Sequence, residues 1–220
     1  NVGVESMETS TDFDNYDNNF GSPAGLQASD DLQANSNFAF AHLGLDLAKK
    51  LLLELSASIN YYDYNYKDFN PQLMPRLAVS YLANNNLSFR ASVSKGYSPP
   101  TLLEVRSSDN VVNKDLQPEL GWNYEAGLRL KNSDERLQLD FSAFYYNLRN
   151  AIVRRAKDNG TEYFVNSGGT KQPGLEAALA YHLISNPQGL VRSLQLRTAY
   201  TFSKFTFDRY IDIDTDHSGN

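Results

Sequence analysis

LSFRASVSKGYSPPTLLEVRSSDNVVNKDLQPELGWNYEAGLRLK, residues 87–131, holds two alternating runs separated by a polar loop. In the first run Leu87, Phe89, Ala91 and Val93 share one side, and Ser88, Arg90, Ser92 and Ser94 share the other. Successive side chains of an extended backbone point to opposite faces, so this period of two predicts a strand with one apolar and one polar face. The second run repeats it, with Trp122, Tyr124, Ala126, Leu128 and Leu130 against Asn123, Glu125, Gly127, Arg129 and Lys131. The apolar side carries no charge, which sets one surface of this sheet against something greasy.

The same alternation recurs on either side. Apolar members are Leu43, Leu45 and Leu47; Leu53, Leu55, Ile59 and Tyr61; Leu77, Val79 and Tyr81; Leu139, Phe141 and Tyr145; Leu175, Leu179 and Tyr181; and Leu194, Leu196, Tyr200 and Phe202. The pattern predicts about eight full strands between 37 and 205 in an all-β, antiparallel up-and-down meander. Val2 to Glu5 reads as the end of a further strand. Polar stretches at 6–36, 63–72, 97–121, 149–172 and 206–220 read as long loops, the fourth with a small hairpin turning at Asp158-Asn159-Gly160. Tight turns follow residues 47, 83, 131 and 183, so long and short connections alternate and each kind gathers at its own pole of the sheet.

Composition narrows the class. Tyr (14) and Phe (12) are abundant, as strands favour. The absence of Cys removes disulfide frameworks and thiolate metal sites. A formal net charge of -6 argues against a nucleic-acid partner, whose phosphates need a basic stripe. Mean hydropathy is -0.50, and no apolar run reaches the ~18 residues of a membrane helix. Membrane strands remain open, because their alternating faces average to polar. Tyr61, Trp122, Tyr124, Tyr145, Tyr200 and Phe202 fall toward the long-loop pole and Tyr81 and Tyr181 toward the other, as in two interfacial girdles. A soluble β-sandwich is the alternative, since it too has one apolar face.

Ser94-Lys95-Gly96-Tyr97-Ser98-Pro99-Pro100-Thr101 with Glu104, then Asp115-Leu116-Gln117-Pro118-Glu119, then Asn123-Tyr124-Glu125-Ala126-Gly127-Leu128 resemble, in order and spacing, the barrel of bacterial TonB-dependent receptors. The resemblance implies that residues 1–220 are an internal portion of a large outer-membrane β-barrel of about 22 strands, which at this spacing takes roughly 460 residues. It further implies contact with outer-membrane lipid, and a plug domain and a TonB contact in parts outside this chain. A scarce small-molecule ligand is implied, most often a ferric siderophore, otherwise cobalamin, haem or an oligosaccharide. No cofactor is implied beyond a ferric chelate as cargo. An eight-stranded outer-membrane barrel closed on itself, and a cell-surface binding or adhesion module, stand as alternatives.

Candidate ligand contacts come from the long-loop pole. Tyr62, Tyr64, Tyr66, Tyr97, Arg106, Arg154 and Arg155 are aromatic or cationic, suited to stacking on or pairing with an anionic chelate. The competing reading makes the tyrosines strand-extension packing and the arginines solvated loop charges. The motif positions Gly96, Tyr97, Pro99, Pro100, Glu104, Leu116, Pro118, Glu119, Glu125 and Gly127 are assigned to architecture, with Glu104 and Glu119 accepting backbone N–H bonds. No enzyme is expected: His42, His182 and His217 lie far apart in sequence without a partnering constellation. Asp12, Asp14 and Asp17, like Asp212, Asp214 and Asp216, lack the spacing of a calcium loop.

Overall fold

The structure, a computed structural model, describes residues 1–109, 111–134, 136–185 and 188–208. In chain order its elements are β1 (Val2–Asn19), β2 (Ser22–Ala48), β3 (Leu51–Tyr64), β4 (Lys67–Asp68), β5 (Gln72–Asn84), β6 (Leu87–Ser98), β7 (Glu119–Lys131), β8 (Leu137–Arg149), β9 (Ile152–Ala156), β10 (Glu162–Asn166), β11 (Gly169–Ser185), β12 (Ser193–Ser203) and β13 (Thr206–Asp208). The main sheet runs β1-β2-β3-β5-β6-β7-β8-β11-β12, each strand antiparallel to its neighbour; β4 pairs with β3, β13 with β11, and β9 with β10 apart from the rest. This is the up-and-down meander that the alternation predicts. Among the described residues β1 and β12 do not pair, so the sheet is open rather than closed into an eight-stranded barrel.

Register keeps the two faces separate. Leu43, Leu55, Leu77, Val93, Tyr124 and Tyr145 stand opposite one another in a row from β2 to β8. One residue along, His42, Ser56, Arg76, Ser94, Asn123 and Tyr146 form the matching polar row. A slip of one residue anywhere would throw a polar strand face among the leucines. Among the described residues nothing is stacked on the apolar side: Leu77 is 43%, Tyr124 47% and Leu196 51% exposed. A sandwich would bury these side chains between sheets; here they form one wide apolar surface of the kind that lipid tails cover.

The loop boundaries differ from the sequence reading, most of all at 6–36. Those residues are not a loop but most of a long hairpin, β1 with β2, turning at Phe20 and Gly21, both at positive φ (51° and 88°). Strand β3 ends opposite Ala34, so about 12 residues of β2 beyond it pair with β1 alone and project about 40 Å. Alternation missed this hairpin because above the apolar band both faces meet water or other loops. Backbone pairing then holds the strands without an apolar side to betray them.

The other long connections shrink for the same reason. Tyr64 belongs to β3, Ser98 to β6, Gly121 to β7 and Gln172 to β11, while β4, β9 and β10 lie within stretches read as loops. Thr206–Asp208 is strand β13; the remainder of the 206–220 loop, with Asp212, Asp214, Asp216 and His217, lies outside the described residues. The small hairpin expected around Asp158-Asn159-Gly160 is β9–β10. At the opposite pole the strand ends pair, Ala48 with Leu51, Asn84 with Leu87, Lys131 with Gln138 and Ser185 with Ser193.

On the polar face a charge network crosses three strands. Arg90 on β6 reaches past Gly127 on β7 to Asp140 on β8 (2.7 Å), and its Nε lies 3.5 Å from Glu125. Arg129 completes it with a 2.6 Å contact to Asp140. A Cβ at Gly127 would stand 2.6 Å from the Phe141 carbonyl oxygen and 3.0 Å from the Arg90 guanidinium carbon, which is why the lane needs a glycine. Gly127→Ala is therefore expected to destabilise the intact barrel by about 1–3 kcal/mol. Gly44→Ala, whose Cβ would meet nothing nearer than 4.0 Å, should be neutral. Heat-modifiable migration and urea midpoints of the full-length protein in detergent measure both.

Candidate functional site

The best-buried apolar cluster of the described residues lies not in the wall but at the long-loop pole. Leu32 and Ala34 of β2, Tyr64 of β3, Phe69, and Val105 and Leu116 of the 99–118 loop are each 5% exposed or less. Phe13, Tyr62, Tyr66, Leu102, Val112, Ile152 and Phe164 pack around them. The polar strand face, continued past the apolar band, thus becomes the floor of a roofed mouth. Even-numbered positions of β3 face inward, so Ser58 and Asn60 in the wall give way to Tyr62 and Tyr64 under the roof.

These rings are arranged against one another. Tyr62 meets Tyr64 edge-on at 5.1 Å, Tyr64 stacks on Tyr66 at 5.2 Å, and Phe69 sets its edge to Tyr64 at 5.7 Å. The Tyr64 hydroxyl donates to the carbonyl of Pro100, which ties the Pro99-Pro100 turn to β3. Tyr64, 3% exposed, supports the mouth from beneath. The hydroxyls of Tyr66 and Tyr97 are buried without a hydrogen-bond partner among the described residues. Burial pushes the Tyr66 phenol above its ordinary value, with the nearby Tyr62 adding to the effect.

The cations are placed differently from one another. Arg106 is nearly buried; it pairs with Asp30 of β2 at 2.9 Å and lies 4.7 Å over the Phe13 ring, latching the 99–118 loop to the projecting hairpin. Arg154 is well exposed and pairs with Glu162 at 3.1 Å across β9–β10. Arg155, on the opposite face of β9, donates to Ser167 at 3.4 Å. Of these three arginines Arg154 faces solvent, Arg155 is part-buried, and Arg106 is spent inside the roof.

The motif residues build the roof. Glu104 accepts the Thr101 N–H at 2.7 Å and its hydroxyl at 2.9 Å, closing the turn after Pro100. Glu119 accepts the Ile152 N–H at 2.8 Å and so joins β7 to β9. Leu116 is 2% exposed, Pro118 is buried, and the Gly96–Gly121 pair leaves space that the Tyr146 ring fills.

Several roof contacts escaped the sequence reading. Lys67 donates to the carbonyls of Lys114 (2.6 Å) and Leu116 (3.0 Å), and Asn166 brackets Gln117 with bonds of 2.6 and 2.7 Å. Asn113 reaches the Phe164 carbonyl at 2.8 Å. Their partners lie about 50 positions away in sequence, and single polar side chains carry no period that would reveal them.

A wall with an uncovered apolar outer face, a polar inner face and one pole roofed by interlocked loops is the architecture of a membrane barrel rather than of a soluble sheet. A family model described as TonB dependent receptor-like, beta-barrel matches residues 2–220. The chain belongs to this family. It is thus a portion of an outer-membrane barrel, and its family is one of transporters, not enzymes. The chain is 28% identical over 102 residues to the metal-pseudopaline receptor CntO of Pseudomonas aeruginosa, a stretch that is 46% of this chain and 13% of that protein. Among solved structures it resembles the ferripyoverdine receptor of the P. aeruginosa outer membrane (TM-score 0.68, 19% identity, 97% of this chain, 31% of that one). It also resembles the copper transporter OprC (TM-score 0.72, 14% identity, 94% of this chain, 36% of that one). At such identities the structural likeness concerns the fold, and the chain spans about a third of these receptors' length.

Two measurements on the full-length protein test the roof. Arg106→Ala removes a charge-assisted contact and should cost the roof about 1–3 kcal/mol, seen as faster backbone hydrogen exchange at 22–33 and 99–109 with the wall strands unchanged. For Tyr66 the folded-state pKa is raised, so its contribution is whole below the ordinary tyrosine value of 10.0 and is lost as pH rises above it. Ultraviolet titration should show a late tyrosinate step that Tyr66→Phe diminishes.

Proposed function

We propose that this chain forms part of the wall and outer mouth of a receptor that binds a scarce small molecule and imports it across the outer membrane, a ferric siderophore before cobalamin, haem or a glycan. Energy would come through TonB, engaged by parts of the protein outside this chain, and a plug domain would stand in the lumen. One observation carries the reading: the loops converge over the polar side of the sheet, and tyrosines and arginines lie under and around that roof. Rings stack on planar chelating groups and guanidinium groups pair with anionic oxygen, so the mouth suits an anionic metal chelate. The relatives' names point to the same class of cargo, a metal held by a small organic ligand in CntO and in the ferripyoverdine receptor. OprC, named for copper, keeps the metal itself open as cargo.

Among the seven candidate contacts, Arg154 and Arg155 on β9 are the ones we assign to first encounter with ligand, and Tyr62, Tyr66 and Tyr97 to a surface met once the roof yields. Tyr64 and Arg106 hold the roof. Titrating the full-length receptor in detergent with ferric chelates, cobalamin and glycans decides the class. Saturable binding of a ferric chelate, weakened roughly tenfold by Arg154→Ala/Arg155→Ala, is the expected result. Binding confined to cobalamin or a glycan, or a full-length protein found wholly in the soluble fraction, overturns the reading.

A further inference from the structure

At its long-loop end the outward, lipid-facing side of the wall carries a strip of cations. Register continues the apolar row through Tyr124, Tyr145 and Pro173 to Lys204, whose N–H donates to the Pro173 carbonyl at 3.0 Å. The next outward row is Trp122, Asn147, Lys171 and Thr206, and the one beyond it Leu120, Arg149, Gly169 and Asp208. Lys204, Lys171 and Arg149 thus climb the outside of the wall, each step crossing one strand and rising two residues, about 7–8 Å. Arg149 and Lys204 are exposed, and neither has a carboxylate partner among the described residues. Lys171 pairs with Asp208 at 3.1 Å and stays 45% exposed; an ammonium has three donors, so this contact leaves others for a second oxygen. Beside the strip lies a polar cavity of about 380 Å³ lined by Asn147, Arg149, Asn150, Asn166 and Asp208.

Depth in the membrane selects the partner. Interfacial aromatic rings lie at the level of the headgroups, and Tyr124, Tyr145 and Tyr200 mark that level on these strands. A cation in the same row or one or two rows farther out meets headgroup atoms rather than tails, with its aliphatic stem along the rings. Guanidinium and ammonium groups without an acid at that depth are complementary to phosphate, whose anionic oxygens take charge-assisted bonds from both. Between the strands of Arg149 and Lys171 stands Asn147, whose amide both donates and accepts, as a sugar hydroxyl requires. Cations are not spread evenly around the wall: residues 1–48, which form β1 and β2, contain no Lys or Arg. We propose that Arg149, Lys171 and Lys204 seat the phosphorylated sugar headgroup of an outer-leaflet glycolipid, with phosphate between Arg149 and Lys171, the sugar against Asn147 and the acyl chains on the apolar face below. The seat depends on the lipid-facing wall and not on which ligand the mouth takes.

The test titrates delipidated full-length receptor in detergent with lipid A bearing both phosphates and with lipid A stripped of them, followed by native mass spectrometry. The phosphorylated form is expected to bind about tenfold more tightly. Arg149→Gln/Lys171→Gln/Lys204→Gln should abolish that preference, and Arg76→Gln, which removes a like charge from the inner face, should keep it. Heat-modifiable migration shows that each variant is folded. Should the triple variant fail to fold, Arg149→Gln alone carries the test, with a preference reduced about threefold. Equal binding of the two lipids, or a preference that survives neutralisation, overturns the seat. So does an equal loss in Arg76→Gln, which moves the phosphate to the inner face. Complete displacement of the lipid by excess inorganic phosphate marks a site for a soluble anion and overturns the lipid assignment. Ferric-chelate binding by the folded triple variant is expected unchanged, so this seat and the cargo reading fail separately.

Discussion

Cross-strand register is the constraint from which the rest follows. A sheet that puts one face to hydrocarbon must keep that face unbroken across every strand, and it must also pair each backbone N–H and C=O within the sheet. Both conditions are met along the row from Leu43 to Tyr145, where leucine, valine and tyrosine from successive strands lie side by side. The polar row one residue away can then carry Arg76 and Asn123, and its neighbours Arg90 and Asp140, because a wet or filled lumen solvates or pairs them. Glycine enters at Gly127 for a local reason, to leave Arg90 a path to a carboxylate two strands away.

Stability is distributed unevenly as a result. The wall has little dry interior of its own within this chain, and its apolar side chains gain their burial from lipid. The dry cluster instead sits above the membrane, where Leu32, Tyr64, Val105 and Leu116 meet beneath the 99–118 loop. The loop pole is thus a packed body in its own right, tied to β2 by Arg106, to β4 by Lys67 and to β9–β10 by Glu119 and Asn166.

The two parts differed in how readable they were. Strand positions, their order and the pole of each connection follow from a period-two pattern that lipid enforces at every residue of the wall, and the Leu51–Tyr61 run shows it plainly. The pattern ends where lipid ends. Residues 6–36 obey no such rule, since a hairpin in water needs no apolar face, and so β1 and the far half of β2 read as loop. Tyr62, Tyr64 and Tyr66 were legible as aromatics at the long-loop pole, but their place in the chain does not say whether a ring is roofed over.

From the sequence alone come the all-β class, the meander, the apolar outer face and the family motifs, because each is local or periodic and repeats often enough to be counted. Only the tertiary structure decided that Arg106 is a latch to Asp30 while Arg154 faces solvent, and that Glu119 holds a neighbouring hairpin. Those relations join single residues tens of positions apart. They are set by strand register and loop packing together, and no property of either residue encodes them.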